Sequence, residues 1–508
     1  MVEKIKVKVF RYDPSKDEEP RYETYEVPRT KHMRVLDVLE YIRDVLGKGI
    51  AFRSSCGIRR CGTCGVLVDG VPKLACFEPA EDNMTIEPLP NFPIIRDLVI
   101  DRSSYDSRTR YMKLWLERAK PPTKFPEDLR PDKMIDALHN AQCIGCLLCA
   151  ASCPALATDK VWLGPSVASD AHRFIADPRD SAKEKRLKSL SDDPWYCTQC
   201  NACDTVCPLD IHISQSVVKI REERVETGVI PRPVRDALLN TQRYSNPWGI
   251  PAEKQLQRVQ FSNVRKLKAH EEVEFLLFVG CTCSSDFRAV EMVNSLAKVF
   301  NEGEMDFGIL SEERCCGGPI LRLGERGLFE MLRKENILSF ENYHIQRIVT
   351  ACPHGYDTFL NYYPTELEIR PSVQLISELI ENHKLRLTKQ VERVVSYHDP
   401  CFLGRRNSIY EQPRKILESI PGLTLVEFSR NRDNSFCCGG GGGRVWMEER
   451  AKDRPSLERV REALRMGVDT IATACPFCLI NLEDATKALG HDSSIEVKDM
   501  AELVLEAI

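Results

Sequence analysis

The chain lacks a long apolar run, a strong charge of either sign and a dinucleotide fingerprint, and each absence closes off a class of function. No stretch of about 18 apolar residues occurs, so no segment reads as a direct membrane span, and membrane contact would need another protein chain. The formal net charge is −4, from 71 Lys and Arg against 75 Asp and Glu, which provides no basic field for nucleic acid. The start, Met1-Val2-Glu3-Lys4, is charged where a secretory signal needs an apolar region, which points to the reducing cytoplasm. No glycine-rich dinucleotide motif follows a strand, so any flavin (FAD) that the reaction needs belongs to a partner. The 508 residues suggest three or four domains, and 43% hydrophobic residues can build a core in each.

What the chain has in quantity is cysteine. Its 22 cysteines fall in groups with metal-ligand spacing. Disulfides are the habit of small secreted domains, which this chain is not, so thiolate ligation is the reading to follow.

The first group lies in an alternating segment. Lys4-Ile5-Lys6-Val7-Lys8-Val9-Phe10 and Tyr22 to Val27 alternate as a hairpin, Leu36, Leu39, Ile42, Val45 and Leu46 recur at helical spacing, and two strand-like runs flank Asp69-Gly70. The expected order is β-β-α-β-β. Within it, Cys56-x4-Cys61-x2-Cys64-x11-Cys76 has the plant-type [2Fe-2S] spacing. Gly57, Gly62 and Gly65 let the loop wrap a cluster with its N–H groups turned inward. Zinc is the competing reading, but zinc knuckles favour paired C-x2-C units.

Pro121, Pro122, Pro126 and Pro131 mark an extended connection, with a boundary near 105 to 130. Beyond it, Cys143-x2-Cys146-x2-Cys149-x3-Cys153-Pro154 and Cys197-x2-Cys200-x2-Cys203-x3-Cys207-Pro208 are each the bacterial two-cluster ferredoxin run. In that run the fourth cysteine serves the other cluster. One [4Fe-4S] cluster is therefore assigned to Cys143, Cys146, Cys149 and Cys207, the other to Cys197, Cys200, Cys203 and Cys153. Ala171 to Ala176 and Ser181 to Leu190 read as helices, so this domain is expected to be helical.

From Glu272 the pattern becomes strand, helix, strand, helix, and repeats. Cys281 answers Cys401, Cys315-Cys316-Gly317-Gly318 answers Cys437-Cys438-Gly439-Gly440, and Cys352-Pro353 answers Cys475-Pro476, at offsets of 120, 122 and 123 residues. The cysteines stand at the carboxyl ends of the expected strands, where open α/β sheets place their sites. In the second copy Cys401, Cys437, Cys438, Cys475 and Cys478 can converge as five thiolates. In the first, Cys281, Cys315, Cys316 and Cys352 are matched but Gly355 stands where the fifth cysteine would be, and Cys283 is extra.

Residues 1 to about 260 resemble the iron-sulfur subunit of succinate dehydrogenases and fumarate reductases, on the Cys56 loop and the two cysteine runs in that order. Residues 270 to 508 resemble the B subunit of heterodisulfide reductase, on the Cys-Cys-Gly repeats. The fusion resembles the family of archaeal thiol:fumarate reductase B subunits over nearly the whole chain. The resemblance implies a multidomain α+β protein: a β-grasp [2Fe-2S] ferredoxin domain (1–105), an α-helical domain with two [4Fe-4S] clusters (106–262), and tandem α/β Cys-Cys-Gly domains (270–390 and 391–508). It implies a flavoprotein partner, the A subunit of such a reductase, that reduces fumarate, while the present chain oxidises coenzyme M and coenzyme B thiols to their mixed disulfide. It also implies a non-cubane [4Fe-4S] cluster on Cys401, Cys437, Cys438, Cys475 and Cys478, where the thiol chemistry occurs. For the first repeat the metal stays open between a non-cubane [4Fe-4S] cluster and zinc.

Two departures bear on the electron donor. Quinone-linked relatives often replace a cysteine of the second run, whereas Cys200 is present and implies a [4Fe-4S] centre. The aromatic cluster and histidine of a quinone site are replaced by Pro154 to Asp159 and by Thr198. Arg405, Arg406 and Arg444 are candidates to grip the anionic coenzymes, with an ordinary surface role as the alternative. Gly439 to Gly443 read as a backbone wrap before a phosphate cradle. His354 and His398 are candidate proton carriers or structural hydrogen-bonders. The competing functions are an iron-sulfur and anchor fusion of a quinone-linked succinate dehydrogenase, and a non-catalytic electron-transfer and docking protein.

Overall fold

A computed structural model describes residues 3–508 except 160, 191–192, 252–253, 255–258, 260–263, 269–270 and 448–452. Met1 and Val2 of the charged start, and positions 262 and 270 at the expected domain boundary, lie outside the described residues. The chain divides into two compact units, Met1–Cys197 with Asn201–Ile220, and Thr198–Cys200 with Arg221–Ile508.

In the first unit, β1 (Lys4–Arg11) pairs antiparallel with β2 (Arg21–Pro28), and the alternation is literal: Ile5, Val7 and Val9 are buried, Lys4, Lys6 and Lys8 exposed. β3 (Gly65–Val68) and β4 (Val71–Leu74) are joined at Asp69-Gly70, both with positive φ (47° and 78°), as a twisted two-residue hairpin turn requires. A strand that the sequence pattern did not mark, β5 (Met84–Glu87), enters parallel to β1 and completes the sheet order β2-β1-β5-β3-β4. The helix Val35–Glu40 buries Val35, Leu36, Val38 and Leu39, the β-grasp arrangement. β6 (Ile94–Arg96) and β7 (Val99–Ile100) form a small ribbon. Helices follow, including Pro131–Asn140, Pro165–Ile175 and Lys183–Ser189, the last two falling on the segments expected to be helical. Asn140 ties them together, accepting from Ser169 and Ser216 (2.7 and 2.9 Å).

The second unit holds two parallel sheets. In the first, β8 (Arg265–Lys266), β9 (Phe275–Phe278), β10 (Phe307–Ile309), β11 (Arg347–Thr350) and β12 (Glu368–Pro371) are ordered β12-β11-β9-β10-β8. In the second, β13 (Arg393–Tyr397), β14 (Leu423–Leu425), β15 (Thr470–Thr473) and β16 (Glu496–Asp499) are ordered β14-β13-β15-β16. β9 and β15 are buried along their whole length, as strands of a sheet covered on both faces must be. The internal repeat is therefore a repeat of sheets: β9 corresponds to β13, β11 to β15 and β12 to β16.

Candidate iron-sulfur sites

All 22 cysteines are free, and the fold gathers them into separate groups. In the first unit the loop after the Val35–Glu40 helix carries Cys56, Cys61 and Cys64. Three backbone N–H groups, of Ile58, Arg60 and Cys61, donate to Cys56 Sγ at 3.3–3.4 Å. Gly57 and Gly62 take left-handed φ (66° and 68°), and a Cβ on Gly62 would lie 2.4 Å from the Ile144 carbonyl, so only glycine fits there. The Thr63 hydroxyl and neighbouring N–H groups lower the Cys61 thiol to about 6, whereas burial raises Cys64, which faces Cys76, to about 12. Cys56, Cys61, Cys64 and Cys76 are thus a convergent set with inward-facing donors.

Cys143, Cys146 and Cys149 converge with Cys207. Burial raises their thiol pKa values, to about 12 for Cys143, where the Asp170 charge comes next, and about 11 for Cys146; Cys207 is among the groups acting on all three. The two runs use the same local device. Leu147 and Asn201 adopt left-handed φ (66° and 62°) and each starts a single-turn helix, Leu148–Ala151 and Ala202–Thr205, which turns the next cysteine back toward the cluster position. Asp170, held by Tyr105 at 2.9 Å, also faces Cys143; nothing in the spacing marked it. Cys153, Cys197 and Cys203 belong to the first unit and Cys200 to the second.

In the second unit the cysteines do stand beyond the carboxyl ends of parallel strands, the usual site of such sheets. At the second repeat Cys401, Cys437, Cys438, Cys475 and Cys478 are all buried. Cys437 lies in hydrogen-bonding reach of Cys401 and Cys438, and Cys438 in reach of Cys478, which reaches Cys475. Bonds from Cys437, Cys478 and His398 pull the Cys438 thiol well down. Gly439 N donates to Cys437 Sγ at 3.3 Å, and Gly317 N donates to Cys315 Sγ at 3.4 Å in the first repeat. Both glycines have positive φ (94° and 81°), which explains why Cys-Cys is followed by glycine in each copy.

The Gly439 to Gly443 stretch is a wrap and not an open cradle. A Cβ on Gly440 would lie 1.8 Å from Asn481 Nδ2, and one on Gly441 2.4 Å from the Thr198 carbonyl. Thr198 and Cys200 themselves join this site: the Cys437 thiol lies 3.7 Å from Thr198 Oγ1 and within reach of Cys200.

The arginines behave differently from the anion grips anticipated in the sequence. Arg405 donates to the carbonyls of Cys200 (2.7 Å) and Ser435 (2.6 Å), and Arg406 to that of Gln199 (3.2 Å), so both hold residues 198–200 against the site. Arg444 is buried. His354 stacks between Phe402 and Phe477 (ring centroids 3.9 and 4.6 Å apart), and burial lowers its pKa to about 3, which leaves a neutral ring and a poor proton acceptor. His398 faces Cys438 with one nitrogen, and its Nδ1 accepts from Arg459 Nε at 3.2 Å. Arg459 is fully buried, 61 residues from its partner in the chain, and carried no sequence signal.

At the first repeat, Cys281 Sγ and Cys315 Sγ are 3.7 Å apart. Cys281, Cys283, Cys316, Cys352 and Gly355 line one small cleft.

The family described as 2Fe-2S iron-sulfur cluster binding domain matches residues 6–107, the 4Fe-4S dicluster domain matches 139–211, and the Cysteine-rich domain matches twice, at 275–358 and 395–483. The B subunit of the fumarate reductase (CoM/CoB) of Methanothermobacter marburgensis is 30% identical, over 98% of this chain and 98% of its own. The chain belongs to the family of fumarate reductase (CoM/CoB) B subunits. The D subunit of the dihydromethanophenazine:CoB–CoM heterodisulfide reductase of Methanosarcina barkeri is 30% identical over 63% of this chain and 80% of that protein. The crystal structure of a hypothetical protein from Helicobacter pylori shares the fold at TM-score 0.63 and 13% identity, covering 100% of this chain and 95% of that one. As a fumarate reductase (CoM/CoB) B-subunit family member, the protein is an iron-sulfur electron-transfer component of an oxidoreductase. Among its described residues no helix is long and apolar enough to cross a membrane.

Proposed function

We propose that this chain oxidises coenzyme M and coenzyme B thiols to their mixed disulfide at the second Cys-Cys-Gly repeat and passes the two electrons to a flavoprotein partner that reduces fumarate. The overall balance is two thiols giving one disulfide, two protons and two electrons, which fumarate takes up to become succinate. The observation that carries the reading is the seating of Thr198 and Cys200, from the second ferredoxin run, against Cys437. The complete five-cysteine set thereby lies against Cys200, which the sequence assigns to an electron-transfer centre, as an oxidation site with an exit for electrons would need. The printed names of the two relatives, a CoM/CoB fumarate reductase and a CoB–CoM heterodisulfide reductase, support the substrate class.

We assign the ligands by the cysteine runs of the sequence. Cys56, Cys61, Cys64 and Cys76 hold one [2Fe-2S] cluster; Cys143, Cys146, Cys149 and Cys207 one [4Fe-4S]; Cys197, Cys200, Cys203 and Cys153 the other; and Cys401, Cys437, Cys438, Cys475 and Cys478 a non-cubane [4Fe-4S]. Bound, these clusters supply one-electron storage and an iron acidic enough to favour a thiolate. The chain's own groups prepare that site. Arg405 and Arg406 fix the 198–200 segment, His398 donates toward Cys438 sulfur because Arg459 occupies its Nδ1, and Phe402 and Phe477 keep the His354 side dry.

The test is an anaerobic assay of the purified complex with its flavoprotein partner. Fumarate-dependent loss of free thiol from a coenzyme M and coenzyme B mixture is the expected result. Succinate-driven quinone reduction with thiols inert would replace this reading with the quinone-linked one. Zinc without iron at the second repeat would replace it with the docking role.

A further inference from the structure

We propose that the first Cys-Cys-Gly repeat holds an iron-sulfur cluster through Cys281, Cys283, Cys315, Cys316 and Cys352, with Cys283 supplying the thiolate missing at Gly355. The inference rests on the reading above only in taking such clusters as what these repeats bind.

The two repeats can be compared position by position. Cys478 lies on the first turn of the helix Pro476–Ala488, three residues after Cys475; Gly355 lies on the first turn of Pro353–Tyr362, three residues after Cys352. Nothing in the backbone calls for glycine there. Its φ is not left-handed, and the nearest atoms a Cβ would meet are Thr350 Oγ1 at 3.6 Å, Cys352 Cβ at 3.8 Å and Thr350 Cγ2 at 3.9 Å, ordinary contacts. The fifth ligand position is therefore open in space and empty of sulfur.

Cys283 is the reciprocal change. Its counterpart in the second repeat is Leu403, an apolar residue buried to 1% exposure, whereas Cys283, at 0%, lines the same cleft as Cys281, Cys316, Cys352 and Gly355. A buried cysteine is often only a small apolar filler. Cys283 is set apart by its place: it lines one cleft with Cys281, Cys316, Cys352 and Gly355, on the loop after β9 and not at the vacant helix position. One sulfur is lost from the helix turn and one is gained on the loop after β9, so the count of five is kept. Five thiols also separate the candidate occupants, since a tetrahedral structural zinc takes four and would strand one buried thiol without a metal.

The full chain, purified anaerobically, is analysed for iron, zinc and acid-labile sulfide and by electron paramagnetic resonance and Mössbauer spectroscopy, as wild type, Cys283→Ser and the double variant Cys283→Ser/Gly355→Cys. The single variant is expected to lose about four iron atoms and their sulfide, the content of one [4Fe-4S] cluster, with the [2Fe-2S] signal intact. The double variant is expected to regain them, because the space at Gly355 accepts a side chain. Unchanged iron in Cys283→Ser, zinc in place of iron in the wild type, or a loss that Gly355→Cys does not restore overturns the proposal. Failure of the thiol-oxidation reading looks different: inert thiols with full iron content.

Discussion

The two Cys-Cys-Gly repeats share a scaffold and differ in their surroundings. Each has a parallel sheet, a cysteine pair followed by a left-handed glycine, and a sulfur capped by that glycine's N–H. Each also has a buried arginine–carboxylate pair, Arg322 with Asp357 and Arg414 with Asp399. Among the described residues the second alone has Thr198 and Cys200 seated on Cys437 and a histidine held against Cys438 by Arg459. The first alone has Glu313, which accepts from the N–H groups of Val279 and Gly280 (2.8 and 2.7 Å) beside its cleft. Duplication preserved the sheet, the cysteine pair and its glycine cap; divergence fell on what packs against that pair. The repeat with the complete five-cysteine set is the one for which the thiol chemistry is proposed.

The largest expected break in this comparison is Cys438→Ala. It should abolish thiol oxidation while dye-coupled fumarate reduction by the flavoprotein partner survives; equal loss of both activities would count against separate sites. Next is Arg322→Met in the first repeat, which leaves Asp357 buried without its charge partner. A loss of about 3–5 kcal/mol is expected in urea unfolding, with the second repeat's spectroscopic signal retained at low denaturant. A smaller contrast separates the two wrapping glycines. Gly317→Ala places a Cβ 2.6 Å from the Phe329 ring, Gly439→Ala one 3.2 Å from Pro455, and both add left-handed strain of about 1–3 kcal/mol, so the first-repeat variant should be the less stable. The smallest effect is expected at His398. Removing a hydrogen bond of about 1 kcal/mol to Cys438 should lower the midpoint potential of the second-repeat centre by roughly 40 mV in His398→Phe, with less change in His398→Gln. A redox titration followed by electron paramagnetic resonance measures this, and equal shifts in the two variants would argue against a hydrogen bond.

The iron-sulfur domain families were legible before any fold was known, because the spacing of their cysteines is a property of the chain. The alternation of Lys4 to Phe10, the Asp69-Gly70 turn and the helices around 171 and 185 were legible for the same reason: period and turn chemistry are local. β5 was not. Met84–Glu87 is four residues long, and its place beside β1 depends on pairing such as Val7 with Met84, far apart in the chain. Of the two roles open to Arg405 and Arg406, the hydrogen bonds show a structural one. They are close to Cys401 in the chain, yet their guanidinium groups point to the carbonyls of residues 199 and 200.

The sequence by itself determined the iron-sulfur domain types and the tandem duplication, since each is written in spacing that survives without packing. Only the tertiary structure decided that residues 198–200 belong with the second unit, that Arg459 sets the orientation of His398, and that the turn at Gly355 has room for a side chain. The first two are contacts between residues tens to hundreds of positions apart, and the third is a space left by such contacts. All are made by close packing of strands and helices, and no local pattern records them.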